Sequence, residues 1–492
     1  MGNDAGASLY AQRMTSPRLT RFGGGALLIA LGLIARSLRA AAQAVALVGG
    51  TVVDGTGAAP IPNAVVLVEG ERITCVGPAA GCLVPAGAQR HDVTGRFLTP
   101  GLIDAHVHFS QTGWIDGRPD GLSAPDVYPY AETARSLREH SDRFARSYLC
   151  TGVTGVFDVG GHPWTTTLPD RSEHDADGVH VRAAGPLITH ASVPALNVDE
   201  QHYTFLPMGS LEDARESVQR LVALGSTAAK VWYVSAPPDQ QAALDDRVAA
   251  VGAATREAGL ELIVHATSLR NAKAAVRAGA GLLVHSVEDT LVDQEFLELL
   301  RSRGTLYSPT LVVGGNWNRA IASVILDAPE RIDDPNGCVD PQTVEKISAT
   351  AVLRPVLPSR MRSPEVVYTR MERGGARSWI MAENLRRVVG AGITVATGTD
   401  AGNPLTLHGP AIYAEMEAMQ RAGMSPTAVI VASTRNGARA MQRDDIGILA
   451  AGKIADLLVL AEDPTVDVRA FRSLTHVMRA GVLHPLEDLA YR

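Results

Sequence analysis

Four cysteines among 492 residues, none of them in C-x-x-C spacing, leave no thiolate metal site to propose. Cys75 and Cys82 flank the turn-like stretch "VGPAAG", where a disulfide and a pair of free thiols are both compatible with the sequence. Cys150 and Cys338 lie far apart and carry no assignment. Basic residues are also short: 45 Lys and Arg face 52 Asp and Glu, for a net charge of -7. No Lys/Arg cluster offers a phosphate footprint, which excludes a nucleic-acid partner. The apolar run "GGGALLIALGLIA" at 23 to 35 covers about 13 residues, where a membrane-spanning helix needs ~20. Arg13, Arg18 and Arg21 precede it and the small-x-small run Ala42-Gln43-Ala44 follows, the pattern of a secretory signal peptide cleaved near Ala44. An uncleaved anchor is the alternative. Residues 1–44 are therefore set apart, and the mature protein is expected to be secreted or periplasmic, without a stable membrane span.

The chain as a whole has the composition of an ordinary folded protein, 46% hydrophobic and 20% charged. Residues 45–100 carry short, alternating, turn-punctuated runs such as "NAVVLVEGERITCVGP", the signature of an antiparallel layer. From residue 101 to 442 the texture changes to short apolar strands separated by Ala/Arg/Glu-rich helical segments, which implies βαβ units and a parallel sheet. Eight such strands are expected, around "IDAHVHF", "GVTGVFDVGG", "VHVRAAGPLITH", "AAKVWYVS", "ELIVHATS", "GLLVHSVED", "GTLYSPTLVV" and "ITVATGTDAG". The fold expected is therefore α/β: a (β/α)8 TIM barrel whose site lies at the strands' C-terminal ends. An insertion at about 316–375 is placed to cover the mouth. Residues 443–485 return to β texture and are expected to complete a small β-sandwich with residues 45–100.

Six polar residues interrupt the apolar strands: His106 and His108 in the first, Lys230 in the fourth, His265 in the fifth, His285 in the sixth and Asp400 in the eighth. In a strand, residues two apart share a face, so His106 and His108 converge on one spot. A lysine in a buried strand is costly unless its charge is removed or paired. Any one strand-end histidine is more often a hydrogen-bonded core residue than a ligand. All six at one barrel face make a nitrogen and oxygen donor set suited to Zn²⁺ or a similar divalent ion.

On these residues and on "TPGLIDAHVH", "GVTGVFDVGG" and "GILAAGKIADLLVL", the chain resembles the amidohydrolase superfamily over nearly all its mature length. More narrowly it is similar to the imidazolonepropionase-related branch that holds Xaa-Pro and other Xaa dipeptidases and ochratoxin-type amide hydrolases. The resemblance implies two divalent ions, zinc first, one on His106, His108 and Asp400 and the other on His265 and His285. They would be bridged by N6-carboxylated Lys230. It further implies that hydroxide drawn from a shared, acidified water cleaves an amide bond of a dipeptide or N-acyl amino acid. A lactone, carbamate or other ester is the alternative substrate, and a barrel that only binds is a third reading. Asp400 would move the proton to the leaving amine, although a helix N-cap is its plainer role. His190 and Tyr233 are further catalytic and substrate candidates, with a strand-end histidine and a packed aromatic as their plainer readings. Tyr307 and Arg435 are candidates for the substrate pocket, and assembly as a homo-oligomer is expected from relatives. His162 and His408 fall on loops near the mouth.

Overall fold

A computed structural model describes residues 43–173 and 175–491. The expected signal peptide falls, through residue 42, outside the described residues. Among the described residues no helix is long and apolar enough to cross a membrane.

The N-terminal runs form β1 (Val45–Val52), β2 (Ile61–Glu69), β3 (Arg72–Pro78), β4 (Gln89–Asp92) and β5 (Phe97–Pro100). Parallel strands follow: β6 (Leu102–Val107), β7 (Val153–Asp158), β8 (His180–Ala183), β9 (Leu187–Thr189), β10 (Phe205–Pro207), β11 (Ala228–Trp232), β12 (Glu261–His265), β13 (Leu282–Val284) and β14 (Leu306–Ser308). The chain closes with β15 (Leu457–Leu460), β16 (Leu474–Arg479) and β17 (Val482–Pro485). β15 pairs antiparallel with β5, so both ends of the chain contribute to one eight-stranded sheet.

The parallel strands fall into two sheets, β6-β7-β8 and β10-β9-β11-β12-β13-β14. Two expected strands look different from their sequence. The third is cut into β8 and β9 at Gly185-Pro186, where Gly185 takes a left-handed φ of 68° and Pro186 has no N–H to give a ladder. The eighth, residues 394–401, holds its neighbours by isolated bridges: Val395 opposite Tyr307 and Ala401 opposite Val107. Its backbone still links β14 to β6, since Ala396 N donates to Tyr307 O and Ala105 N to Thr397 O. Alternation along the strands sorts their side chains. Ile103, Ala105, Ala228, Ile263, Leu282 and Leu306 make one buried cluster, whereas Ala229, Val231, Leu262, Leu283 and Tyr307 pack outward on the helices.

Helices Val313–Leu326, Pro341–Ser348 and Pro364–Gly390 occupy the span between β14 and residue 394. Ile321, Val324 and Leu353 from this span pack on Trp114 and Ile115 of the loop after β6, so the excursion is seated beside the end of the first strand. All four cysteines are oxidised: Cys75–Cys82 closes its turn, and Cys150–Cys338 ties the helix Arg143–Cys150 to the excursion. The second pair corrects the absence of any assignment from sequence, which cannot bring together residues 188 apart.

A buried polar network joins the parallel strands to the terminal sheet. His180 on β8 contacts Glu173 through Nδ1 and Asp456 through Nε2, both at 2.9 Å. Arg443 Nη2 reaches Glu173 at 2.9 Å, and the fully buried Arg479 of β16 lies 3.8 Å from Asp456. Burial works to raise the Glu173 carboxyl, but hydrogen bonds from His180 and Arg443 outweigh it and hold the group at about 2, below its ordinary 4.5. The stabilisation from a depressed carboxyl is present above its unfolded value and lost as pH falls toward the folded one. With chelator present throughout, wild type should melt above Glu173→Gln at about pH 6, and the gap should narrow as pH falls below about 4.5 and close only near pH 2. A gap independent of pH would remove Glu173 ionisation from the account.

Candidate metal centre

The inward face of β11 carries Ala228, Lys230 and Trp232, and that of β12 carries Ile263 and His265, as a period of two requires. His285 directly follows the inward Val284, so simple alternation would turn it outward. Its backbone instead takes a left-handed φ of 72°, and its ring stands 4.3 Å from that of His265 and 4.9 Å from that of His106. Asp400 is left-handed as well, with φ 65°. Two non-glycine residues held in this region at one site are stored strain of the kind that functional sites carry.

His106 Nε2 lies 3.2 Å and His108 Nε2 2.9 Å from Asp400 Oδ1, and His285 Nδ1 lies 4.0 Å from Asp400 Oδ2. Ligand atoms of His106, His108 and Asp400 all fall within 4.8 Å of one another. Lys230, His265 and His285 line the same pocket as His108 and Asp400, a space of about 90 Å³. The six side chains named from sequence are thus brought together.

Neighbours fix their orientation. His108 Nδ1 meets Gly160 O at 2.5 Å and His285 Nδ1 meets Thr310 Oγ1 at 2.7 Å, which leaves each Nε2 to the centre. Asp104 accepts from the backbone N–H of His106 and Thr399 and from Thr399 Oγ1, pinning residues 394–401 to β6. Gly398 lies so close that a Cβ there would sit 2.7 Å from His106 Cβ.

The electrostatics favour cation ligation. Burial pushes the His106 and His265 imidazoles down to about 3, so both rings are neutral with lone pairs free. Burial works to raise the Asp400 carboxyl, but the close approach of the His106 and His108 imidazoles holds it well below the usual carboxylate range. Burial brings the Lys230 amine down to about 7, against the pull of Asp400 and Asp158. Although fully buried, His106 makes no hydrogen bond through either ring nitrogen among the described residues, since its approach to Asp400 lacks hydrogen-bond geometry. An orphaned imidazole beside an ionised carboxylate and three more histidines fits a divalent cation.

This arrangement matches a known family: the amidohydrolase family model covers residues 97–483. The chain belongs to the amidohydrolase family. An imidazolonepropionase of Cutibacterium acnes is 25% identical over 402 residues, covering 82% of this chain and 84% of the relative. Among solved structures, a Xaa-Pro dipeptidase with bound methionine superposes with a TM-score of 0.66 at 21% identity, covering 90% of this chain and all of that one. Molinate hydrolase gives a TM-score of 0.67 at 22% identity, covering 91% and 96%. These likenesses assign a TIM-barrel-type α/β fold to this amidohydrolase, with imidazolonepropionase-related and prolidase-like relatives.

The substrate candidates need correcting. Tyr233 follows the inward Lys230 by three residues and therefore faces out, where its hydroxyl contacts Asp245 and accepts from Gln241 Nε2. Tyr307 is fully buried on the outward face of β14, accepting the Val287 N–H. Arg435 lies by Glu261 and Gly281, at the strands' N-terminal ends, and donates to Thr56 O. It is at the wrong end of the barrel strands to meet substrate. His190, half-buried just past β9, does not line the pocket, and its Nδ1 has no hydrogen-bond partner among the described residues. His408 stacks on Phe144 at 3.8 Å and bonds Tyr148 and Gln111, a packing role.

The residues that do line the pocket include Trp232, stacked 5.3 Å from Phe205, and the pair Arg118–Asp120. Trp232 was legible, being two residues from Lys230. Arg118, Asp120 and Phe205 sit on loops or short strands with no periodic signal.

Proposed function

We propose that this amidohydrolase is an exported, binuclear metal-dependent enzyme that cleaves the amide bond of dipeptides or N-acyl amino acids. The observation that carries this reading is the convergence of His106, His108, Lys230, His265, His285 and Asp400 on one small pocket. His106, His108 and Asp400 would hold one ion and His265 and His285 the other, with carboxylated Lys230 between them; imidazole and carboxylate donors suit zinc. When bound, such ions supply Lewis acidity, which acidifies water and polarises a carbonyl.

The chain's own groups do the rest. Asp400, kept ionised, takes a proton from the attacking water on a carboxylate oxygen and returns it to the amine as the C–N bond breaks. Trp232 and Phe205 give the pocket an apolar wall beside the reacting carbonyl. The same reading takes the two parallel sheets and residues 394–401 as one closed (β/α)8 barrel, the terminal sheet as a β-sandwich, and the mature protein as a homo-oligomer. Two disulfides support export to an oxidising compartment.

Elemental analysis of purified protein should find two divalent ions per chain. A panel of Xaa-Pro, Xaa-Arg and Xaa-Phe dipeptides, N-acyl amino acids, lactones and carbamates should then show turnover of amides that chelator abolishes. Turnover confined to esters or carbamates would move the activity to them. Absence of metal would overturn the hydrolase reading.

A further inference from the structure

The metal pocket, at about 90 Å³, is well below the ~300 Å³ at which small-molecule sites usually begin, so a dipeptide-sized substrate must extend beyond it. A second cavity, of about 640 Å³, lies between helices Val313–Leu326 and Pro364–Gly390, with the Arg118–Trp317 contact between the two. Trp317 belongs to the wall of this cavity, and Arg118 of the metal pocket lies 5.0 Å above its ring. Trp317 Nε1 and Arg118 both donate to Asn403 Oδ1. Glu288, on the cavity wall, follows the ligand candidate His285 by three residues.

Arg370, Arg373 and Arg377 line the cavity from one face of a single helix, three and four residues apart. Arg377 lies 3.6 Å from Glu288, and Glu365 is the other acid on the wall. The guanidinium groups of Arg370 and Arg373 have no hydrogen bond or ion pair among the described residues. Like charges at this spacing weaken a helix unless something answers them. Gly374, between them and the next turn, lets the helix approach closely, since a Cβ there would lie 2.6 Å from Asn318 Nδ2. Arg370 is half-buried on the cavity wall, and Arg373 and Arg377 line it as exposed side chains.

We propose that this cavity is a subsite for a carboxylate on the part of the substrate remote from the scissile bond, gripped by Arg370 and Arg373. The preferred substrates are then acidic, such as dipeptides or N-acyl amino acids with a glutamate or aspartate side chain. This rests on the amide-hydrolase reading above. A planar guanidinium is suited to two-point contact with a carboxylate, and a neutral amide of the same shape cannot replace that charge.

The metal-loaded, full-length protein should hydrolyse Ala-Glu with kcat/KM about tenfold above Ala-Gln, the value of one charge-assisted contact. The double variant Arg370→Gln/Arg373→Gln should lose that preference through KM for Ala-Glu alone, with kcat within about twofold and Ala-Gln unaffected. Calorimetry with glutarate on chelator-treated protein gives a readout without chemistry: binding should weaken about tenfold in the variant and fall with added salt. Cleavage of both dipeptides without preference would overturn the subsite and leave the amide reading standing. Arginine-dependent glutarate binding without amide turnover would do the reverse. If the variant changed only the sedimentation of the protein and not KM, the arginines would belong to a contact between copies and the proposal would fall.

Discussion

Replacing Lys230 by alanine is expected to strip the protein of metal and to lower turnover by more than about 100-fold, the upper end of what loss of a metal-supporting group costs. The side chain is buried on the inward face of β11, in a pocket with His108, His265, His285 and Asp400, and no hydrogen bond or ion pair among the described residues engages its Nζ. As an ammonium it would compete with any cation held by four imidazoles. On the proposed reading carboxylation would resolve the conflict: the neutral amine would add CO₂ and release a proton, and the resulting anion would be one that bound metals neutralise. The alanine variant leaves a space beside the ions, so short carboxylic acids should restore part of the activity by placing a free carboxylate there. Labelled bicarbonate should give wild type a carbamate carbon signal that Lys230→Ala lacks. A Lys230→Met protein that kept two ions and full turnover would remove the bridge from the account.

The metal centre was legible because its chemistry defies its surroundings. Strands such as "LIVHA" and "VATGTD" are apolar on both sides of one polar residue, and that contrast survives without coordinates. The positions flanking those residues were legible only as far as strand period was respected. Counting two from Lys230 reaches Trp232 on the pocket wall, whereas counting three reaches Tyr233, which lies in the outer core. His285 reaches the centre through a left-handed backbone that propensity does not announce for histidine. Arg435 was misplaced because a helix after the eighth strand runs back to the strands' N-terminal ends, a matter of topology and not of local pattern. The cut in the third strand was written in Gly185-Pro186 and could have been read there.

The Cys150–Cys338 bond should matter far more to stability than Cys75–Cys82, and loop length is the reason. The two bridges close sequence separations of 188 and 7 residues. In the chain-entropy description these remove about 5 and about 2 kcal/mol of denatured-state freedom respectively. Both sulfur-bearing residues of the longer loop are fully buried, so replacement by serine also leaves hydroxyls in an apolar setting; alanine is the cleaner choice. The bond further fastens the excursion that carries Trp317 and Arg370 to the helix Arg143–Cys150 behind β7. Cys150→Ala/Cys338→Ala should therefore lower stability by about 2–5 kcal/mol in denaturant titration, against about 2 kcal/mol or less for Cys75→Ala/Cys82→Ala. If the bond anchors the excursion beside the mouth, the first variant should also raise KM at temperatures well below its melting point, while metal content holds. Equal losses from the two pairs would show that the excursion is held by its packing on Trp114 and Ile115 alone.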